Sequence, residues 1–160
     1  MRVCAKQAIK PAFPGESLKL YRFPEQERRL KTELGALVFG SALLDFVYEW
    51  MSKRTPAQEV MIPEFRFVKA GYGMEGEEVI NRQAFLIEEW IDTSEGMQGK
   101  FRKYINNNSP MPVANLNDED GWRARFLCFT QHVQYVEWGK LAFVSDYQGM
   151  HCFYVITPRY

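Results

Sequence analysis

The sequence predicts an α+β protein, and three observations carry that expectation. Residues 3–9 and 64–68 alternate from one face to the other as half-buried strands do. Residues 84–87 and 141–144 are short continuous apolar runs, the pattern of a strand buried on both faces. Two longer segments, 25 to about 51 and 118–138, space their apolar residues three and four apart, which is the helical period.

In chain order, 3–9 is the first strand, and Pro11, Pro14, Gly15 and Pro24 make the next stretch a loop. Glu25, Gln26 and Glu27 place acidic charge at the positive end of a helix whose face runs through Leu30, Leu34, Leu37, Val38, Leu44, Val47 and Met51. A polar, proline-bounded connection over 53–63 leads to the strand at 64–68. Gly71, Gly73 and Gly76 read as a loop, without the order of strand, GxGxxG and helix that a dinucleotide site needs. The strand at 84–87 runs into Glu88, Glu89, Trp90 and Ile91, and 92–100, with Gly96 and Gly99, breaks the composition. Asn106, Asn107 and Asn108 favour a turn, because their amides compete for backbone hydrogen bonds. Asn117 and the acidic residues after it cap a helix whose buried face is expected at Trp122, Phe126, Phe129, Thr130 and Val133. Gly139 ends that helix, and a strand over 141–145 delivers Asp146.

Composition narrows the classes. With 160 residues, 46% hydrophobic and 15% aromatic, the chain builds one domain or two small lobes sharing a cleft, and it is not disordered. Twenty basic and 20 acidic residues cancel, so no global field points to nucleic acid or an anionic membrane. Cys4, Cys128 and Cys152 have no CxxC spacing and suit reduced core thiols, with no zinc cluster among them. No stretch is expected to approach the length of a membrane span, and the start lacks a signal-like apolar region. The expectation is a soluble, cytoplasmic protein.

Asp146, followed by Gln148 and Gly149, either aims a carboxylate into a cleft or forms a polar hairpin end, with Gly149 letting the backbone turn. Phe129-Thr130-Gln131-His132, the apolar run after it and Asp146-Tyr147-Gln148-Gly149 resemble the C-terminal lobe of the alpha-type protein kinases. In that family a helix carrying Phe-x-His precedes a strand and Asp-x-Gln-Gly-x-Gly, then Thr-Asp-Pro. The resemblance stops after Gly149: His151 stands at the second glycine, and Val155-Ile156-Thr157-Pro158 has no aspartate.

What the resemblance implies extends along the chain. Lys6 is similar to the family's strand lysine that holds nucleotide phosphates, its plain alternative being a snorkelling surface lysine. Arg29-Leu30-Lys31-Thr32-Glu33 is similar to a helix motif whose glutamate, here Glu33, pairs with that lysine. Glu88 matches the hinge glutamate that addresses adenine, and otherwise is an acidic strand end. Lys103 and Asn107 match a cation and an amide near phosphate, within what is otherwise a turn.

The implied fold is therefore two-lobed and kinase-like, with an N-lobe over about 1–87, a hinge at 88–91 and a C-lobe over about 92–160. The implied activity is ATP-dependent phosphorylation of protein serine or threonine, with Asp146 and Lys6 as catalytic residues. The ATP contacts would be Lys6, Glu33, Glu88, Lys103, Asn107 and Gln148, with Gln148 also on Mg2+. His132 matches one zinc ligand of the family only, so no zinc is assigned. The alternative is a pseudokinase or nucleotide-binding interaction module.

Overall fold

The computed structural model describes residues 2–10, 16–54, 62–77, 81–91, 101–106, 108–150 and, as backbone, 153–155. The described residues form a mixed α+β protein with a small antiparallel sheet, a second sheet and two helices. The chain divides into two units, Met1–Leu37 with Val68–Ile91, and Val38–Phe67 with Asp92–Tyr160.

In the first unit, β1 (Val3–Lys6), β3 (Ala70–Glu75) and β4 (Gln83–Glu89) form an antiparallel sheet in the order β1-β4-β3. Strand alternation sets its faces. Ala84, Leu86 and Glu88 of β4 are buried, and the register places Cys4 opposite Glu88, Lys6 opposite Leu86, and Tyr72 opposite Leu86 from the other side. The first half of α1 (Phe23–Ser52) meets this sheet. Gln26 Oε1 accepts from the Ala84 amide at 3.2 Å, Leu30 is buried, and the Lys31 ammonium lies 5.1 Å from the Tyr72 ring centre. Pro24 sits in the first turn, where no intrahelical N–H is needed. Glu25 is held to about pKa 2, chiefly by its hydrogen bond to Arg28, with Arg29 adding to it.

Two sequence expectations change here. The Gly71–Gly76 stretch is not a loop: Ala70–Glu75 is the edge strand β3. A glycine at 73 leaves room for Ile87, whose Cδ1 lies 2.9 Å from where a β-carbon would stand. The expected strand at 84–87 is longer, since β4 runs through Glu88 to Glu89.

The second unit holds the rest of α1, β2 (Arg66–Phe67), β5 (Arg102–Lys103), α2 (Asp118–Glu137), β6 (Gln148–Met150) and β7 (Phe153–Val155). Its sheet order is β2-β7-β6-β5, parallel between β2 and β7 and antiparallel elsewhere. Val47 and Met51 of α1 pack with Val133 of α2, flanked by Phe46, Tyr48, Trp50, Ile62 and Phe126. Tyr48 is fixed at both polar ends, donating to the Pro63 carbonyl and accepting from the Phe65 amide, each at 2.7 Å, and burial pushes its hydroxyl up to about pKa 12.

α2 appears where the caps predict it, but its buried face is rotated. Ala124, Leu127, Thr130, Gln131, Val133 and Gln134 are buried, whereas Phe129 is 38% exposed. Asn117 Oδ1 accepts from the Asp120 amide at 2.7 Å, and Gly139, at φ +62°, reverses the chain after the last turn. Asn117→Ala is expected to lower stability by about 1 kcal/mol, measured by urea unfolding, with Asn117→Asp close to wild type.

The expected strand at 141–145 is absent. Leu141 is 87% exposed and Phe143 47%, so this run is not buried on two faces, and its backbone bonds to side chains of α2 instead of to a strand.

By length and composition α1 could cross a membrane, since it contains an 18-residue window of mean hydropathy 1.3. That corrects the expectation that no stretch approaches a span, although the core helix of a soluble protein meets the same criterion.

Candidate functional site

Asp146 lies between two anchored residues. On its N-terminal side, Val144 is held at both backbone groups: Gln131 Nε2 donates to its carbonyl at 2.7 Å, and its amide donates to Gln134 Oε1 at 2.8 Å. On the other side, Tyr147 is fully buried, with its hydroxyl 3.2 Å from Thr130 Oγ1 and 3.3 Å from Gln134 Nε2. The Tyr147 carbonyl accepts from the amides of Tyr104 and Ile105 at 2.8 and 3.2 Å. Burial raises the Tyr147 hydroxyl to about pKa 12, so it serves as a neutral hydrogen-bonding group.

Pinned on both sides, Asp146 takes a left-handed conformation at φ +59°. For a side chain other than glycine this costs on the order of 1–2 kcal/mol, and it persists where surrounding contacts over-determine it. The turn expected at Gly149 is thus made by Asp146, while Gly149 sits inside β6 opposite Arg102 and Tyr154.

Strand alternation in β5 distributes its charges. Arg102 and Lys103 point to opposite faces. Arg102 meets the buried Asp120 of α2 at 2.5 Å, and the Tyr104 hydroxyl lies 3.5 Å from the same carboxylate. Lys103 reaches Asp146 Oδ1 at 2.6 Å, from a side chain 33% exposed to a carboxylate 3% exposed. Its register partner is the partly exposed Gln148. A carboxylate, an ammonium and an amide therefore converge around one turn.

In the first unit the structure gathers Lys6, Glu33 and Glu88. Lys6 pairs with Glu88 Oε2, not with Glu33 as the resemblance implies. Glu88 is 3% exposed, and its Oε1 is buried without a hydrogen-bond partner. Glu33 is in electrostatic range of both. Its carboxyl is pushed above the usual range, first by burial and then by the Glu88 charge, while Lys6 acts in the opposite sense. The backbone beside Glu88 is engaged in the sheet, with the Glu89 amide on the Lys69 carbonyl at 2.8 Å and the Trp90 amide on the Arg2 carbonyl at 2.9 Å.

Asn107, His151, Cys152 and the 156–158 segment lie outside the described residues. His132 is exposed, not a core residue. It lines an apolar groove of about 520 Å³ with Pro110, Cys128, Gln131, Tyr135 and Phe143. The Cys128 thiol donates to the Pro110 carbonyl at 3.0 Å, and burial pushes its pKa up. Among the described residues no group of three or more His, Cys, Asp or Glu side chains is gathered for a metal.

Sequence reasoning missed the residues that shape the turn. Gln131 and Gln134 sit three apart on α2, but polar side chains at that spacing read as a solvated stripe until the segment they hold is known. Asp120 reads as a first-turn acid, which it is, yet it is also a fully buried counter-ion.

No protein-family model, curated protein or solved structure matches the chain. The described residues define a mixed α+β class, with a buried, lysine-paired aspartate in one unit and a buried, lysine-paired glutamate in the other.

Proposed function

We propose that the protein is an ATP-dependent serine/threonine protein kinase of the alpha type, two-lobed and cytoplasmic. The observation that carries the reading is the Lys103–Asp146 pair at 2.6 Å, presented by a left-handed turn and followed by Gln148. Phosphoryl transfer needs a carboxylate to orient a hydroxyl nucleophile and cations against the transferring phosphate. Asp146 would accept the proton of the substrate serine or threonine hydroxyl at a carboxylate oxygen. Lys103 would orient that carboxylate and turn its ammonium toward phosphate oxygens. Lys6 is assigned to nucleotide phosphate and Glu88 to the adenine side, with Glu33 as the helix carboxylate associated with Lys6. Asn107 is assigned by the resemblance alone.

The Gln148 amide oxygen would hold Mg2+, completed by water and phosphate oxygens, since the ion keeps few protein ligands, while the Asp146 carboxylate is matched by the Lys103 ammonium. When bound, Mg2+ neutralises charge on the phosphates. The balanced formal charge gives no support to a nucleic-acid partner, and the partner in this reading is a protein substrate.

A second reading, a pseudokinase or nucleotide-binding interaction module, is favoured by the engagement of Glu88 with Lys6 and of the adjoining backbone in the sheet. Transfer of radiolabelled phosphate from Mg·ATP to a basic acceptor protein separates the two. The expected result is transfer by the wild type that falls at least ~100-fold in Asp146→Asn and Lys103→Met, with circular dichroism unchanged. ATP binding without transfer, lost in Lys6→Met, would establish the second reading. Absence of both transfer and ATP binding would overturn both.

A further inference from the structure

We infer that the apolar surface where α2 ends binds a second copy of this chain, in a two-fold pair in which Leu141 of each protomer enters the groove beside Phe143 of the other. The surface lies within the second unit and uses none of the residues assigned to phosphate transfer.

Leu141 is a fixed apolar knob, 87% exposed. Gly139 and Lys140 before it are both left-handed, at φ +62° and +69°, a conformation that lysine keeps only where contacts impose it. Those contacts are backbone bonds to the last turn of α2. The Gly139 amide donates to the Val136 carbonyl at 3.2 Å, the Lys140 amide to that of Tyr135 at 2.7 Å, and the Leu141 amide to that of Trp138 at 3.2 Å. The reversal that ends the helix therefore holds the leucine out in solvent, and its backbone has little freedom left to lose when a partner covers it.

A hole adjoins the knob. Phe143, two residues beyond Leu141, is one wall of the groove of about 520 Å³, with Pro110, Cys128 and Tyr135 among the others. Tyr135 and Phe143 meet edge to face with ring centres 5.8 Å apart. The groove is apolar and large enough for a leucine side chain. Because knob and hole adjoin on one protomer, a single two-fold operation can seat each knob in the partner's hole, as a self-complementary interface requires.

The surrounding surface supplies the area. Phe39 of α1 stands edge-on to Trp138 at 5.8 Å, and Val38, Phe39, Val136, Trp138, Leu141 and Phe143 are all exposed. Taking roughly 200 Å² for a whole aromatic side chain and roughly 100 Å² for an aliphatic one, these residues expose about 500 Å² per protomer. Mutual burial removes about 1,000 Å² from the pair, the lower bound for a specific interface, so the expected dimer is weak, with a Kd in the micromolar range. A bilayer would also cover exposed Trp, Leu and Phe side chains, but it has no use for a groove matched to the knob. Nor do 20 basic and 20 acidic residues give a net pull toward anionic headgroups.

Sedimentation velocity on the full chain, across roughly 1 to 500 µM, tests this. Wild type should pass from monomer to dimer over that span. Leu141→Lys and His132→Glu, which place a charge on the knob and in the groove, should each weaken association at least about tenfold. Both positions are exposed, so the fold should be kept, as circular dichroism would show. An equimolar mixture of the two variants should dimerise again. Its mixed pair has one unaltered knob in an unaltered groove, and one contact in which the introduced ammonium meets the introduced carboxylate. A wild type that stays monomeric, a dimer indifferent to Leu141→Lys, or a mixture no more associated than either variant alone overturns the proposal. Co-sedimentation of a monomeric wild type with phosphatidylcholine vesicles, lost in Leu141→Lys, would overturn it by assigning the surface to lipid.

Discussion

Gln134→Leu is expected to destabilise the protein by about 3 kcal/mol, measured as a shift in urea midpoint. Gln134 has no solvent exposure and serves two buried partners, accepting from the Val144 amide at 2.8 Å and donating to the Tyr147 hydroxyl at 3.3 Å. Leucine fills a similar volume, so the loss comes from leaving these groups unpaired, at roughly 1–3 kcal/mol each for buried partners. Tyr147 retains Thr130 at 3.2 Å, which leaves the Val144 amide as the larger contribution. Combining Gln134→Leu with Tyr147→Phe should cost less than the sum of the two, because the second change removes a group that the first leaves unsatisfied. Strict additivity would show that the bond between them carries no stability. Since Val144 anchors the turn that presents Asp146, the phosphate transfer proposed for this protein should fall in Gln134→Leu even where the chain remains folded.

Asp120→Ala is expected to cost about 3–5 kcal/mol, the range for breaking a buried charge pair by removing one partner. Asp120 is fully buried and receives Arg102 at 2.5 Å, Arg123 at 3.4 Å and, more weakly, the Tyr104 hydroxyl at 3.5 Å. Arg102 is 31% exposed, so water takes over part of its solvation and the effect should fall in the lower half of that range. Arg123 keeps Glu119 at 2.5 Å. Asp120→Asn, which preserves shape and an acceptor, should lose less. Addition of salt should leave the difference between wild type and Asp120→Ala largely intact, because a buried pair is poorly screened. A difference that vanishes in high salt would mean that the carboxylate acts through long-range surface charge.

Both sites show how far the sequence could be read. The helices were legible because their signals are local: the Leu30–Met51 stripe, the Asn117 cap and the glycine at 139 act within a few residues of themselves. β1 and β4 were legible from their pattern, although β4 runs through Glu88 and Glu89, since acidic side chains can end a sheet as well as leave one. β3 was not, because glycines read as turn residues unless a neighbour such as Ile87 is known to need the space. The run at 141–145 was misread for the opposite reason. Apolar content predicts burial, but Leu141 and Phe143 are exposed and the backbone is claimed by glutamines ten to thirteen residues away.

By itself the sequence determined the α+β class, the positions of the two long helices and the residue types available for chemistry, since periodicity, caps and side-chain identity are properties of the chain. Only the tertiary structure decided which charges meet. Lys6 pairs across two strands with Glu88, and Lys103 pairs with Asp146 through the register of β5 with β6 and a left-handed turn. These pairings depend on strand register and on which face each side chain takes, and a shift of one residue would send every one of them to the opposite side of its sheet.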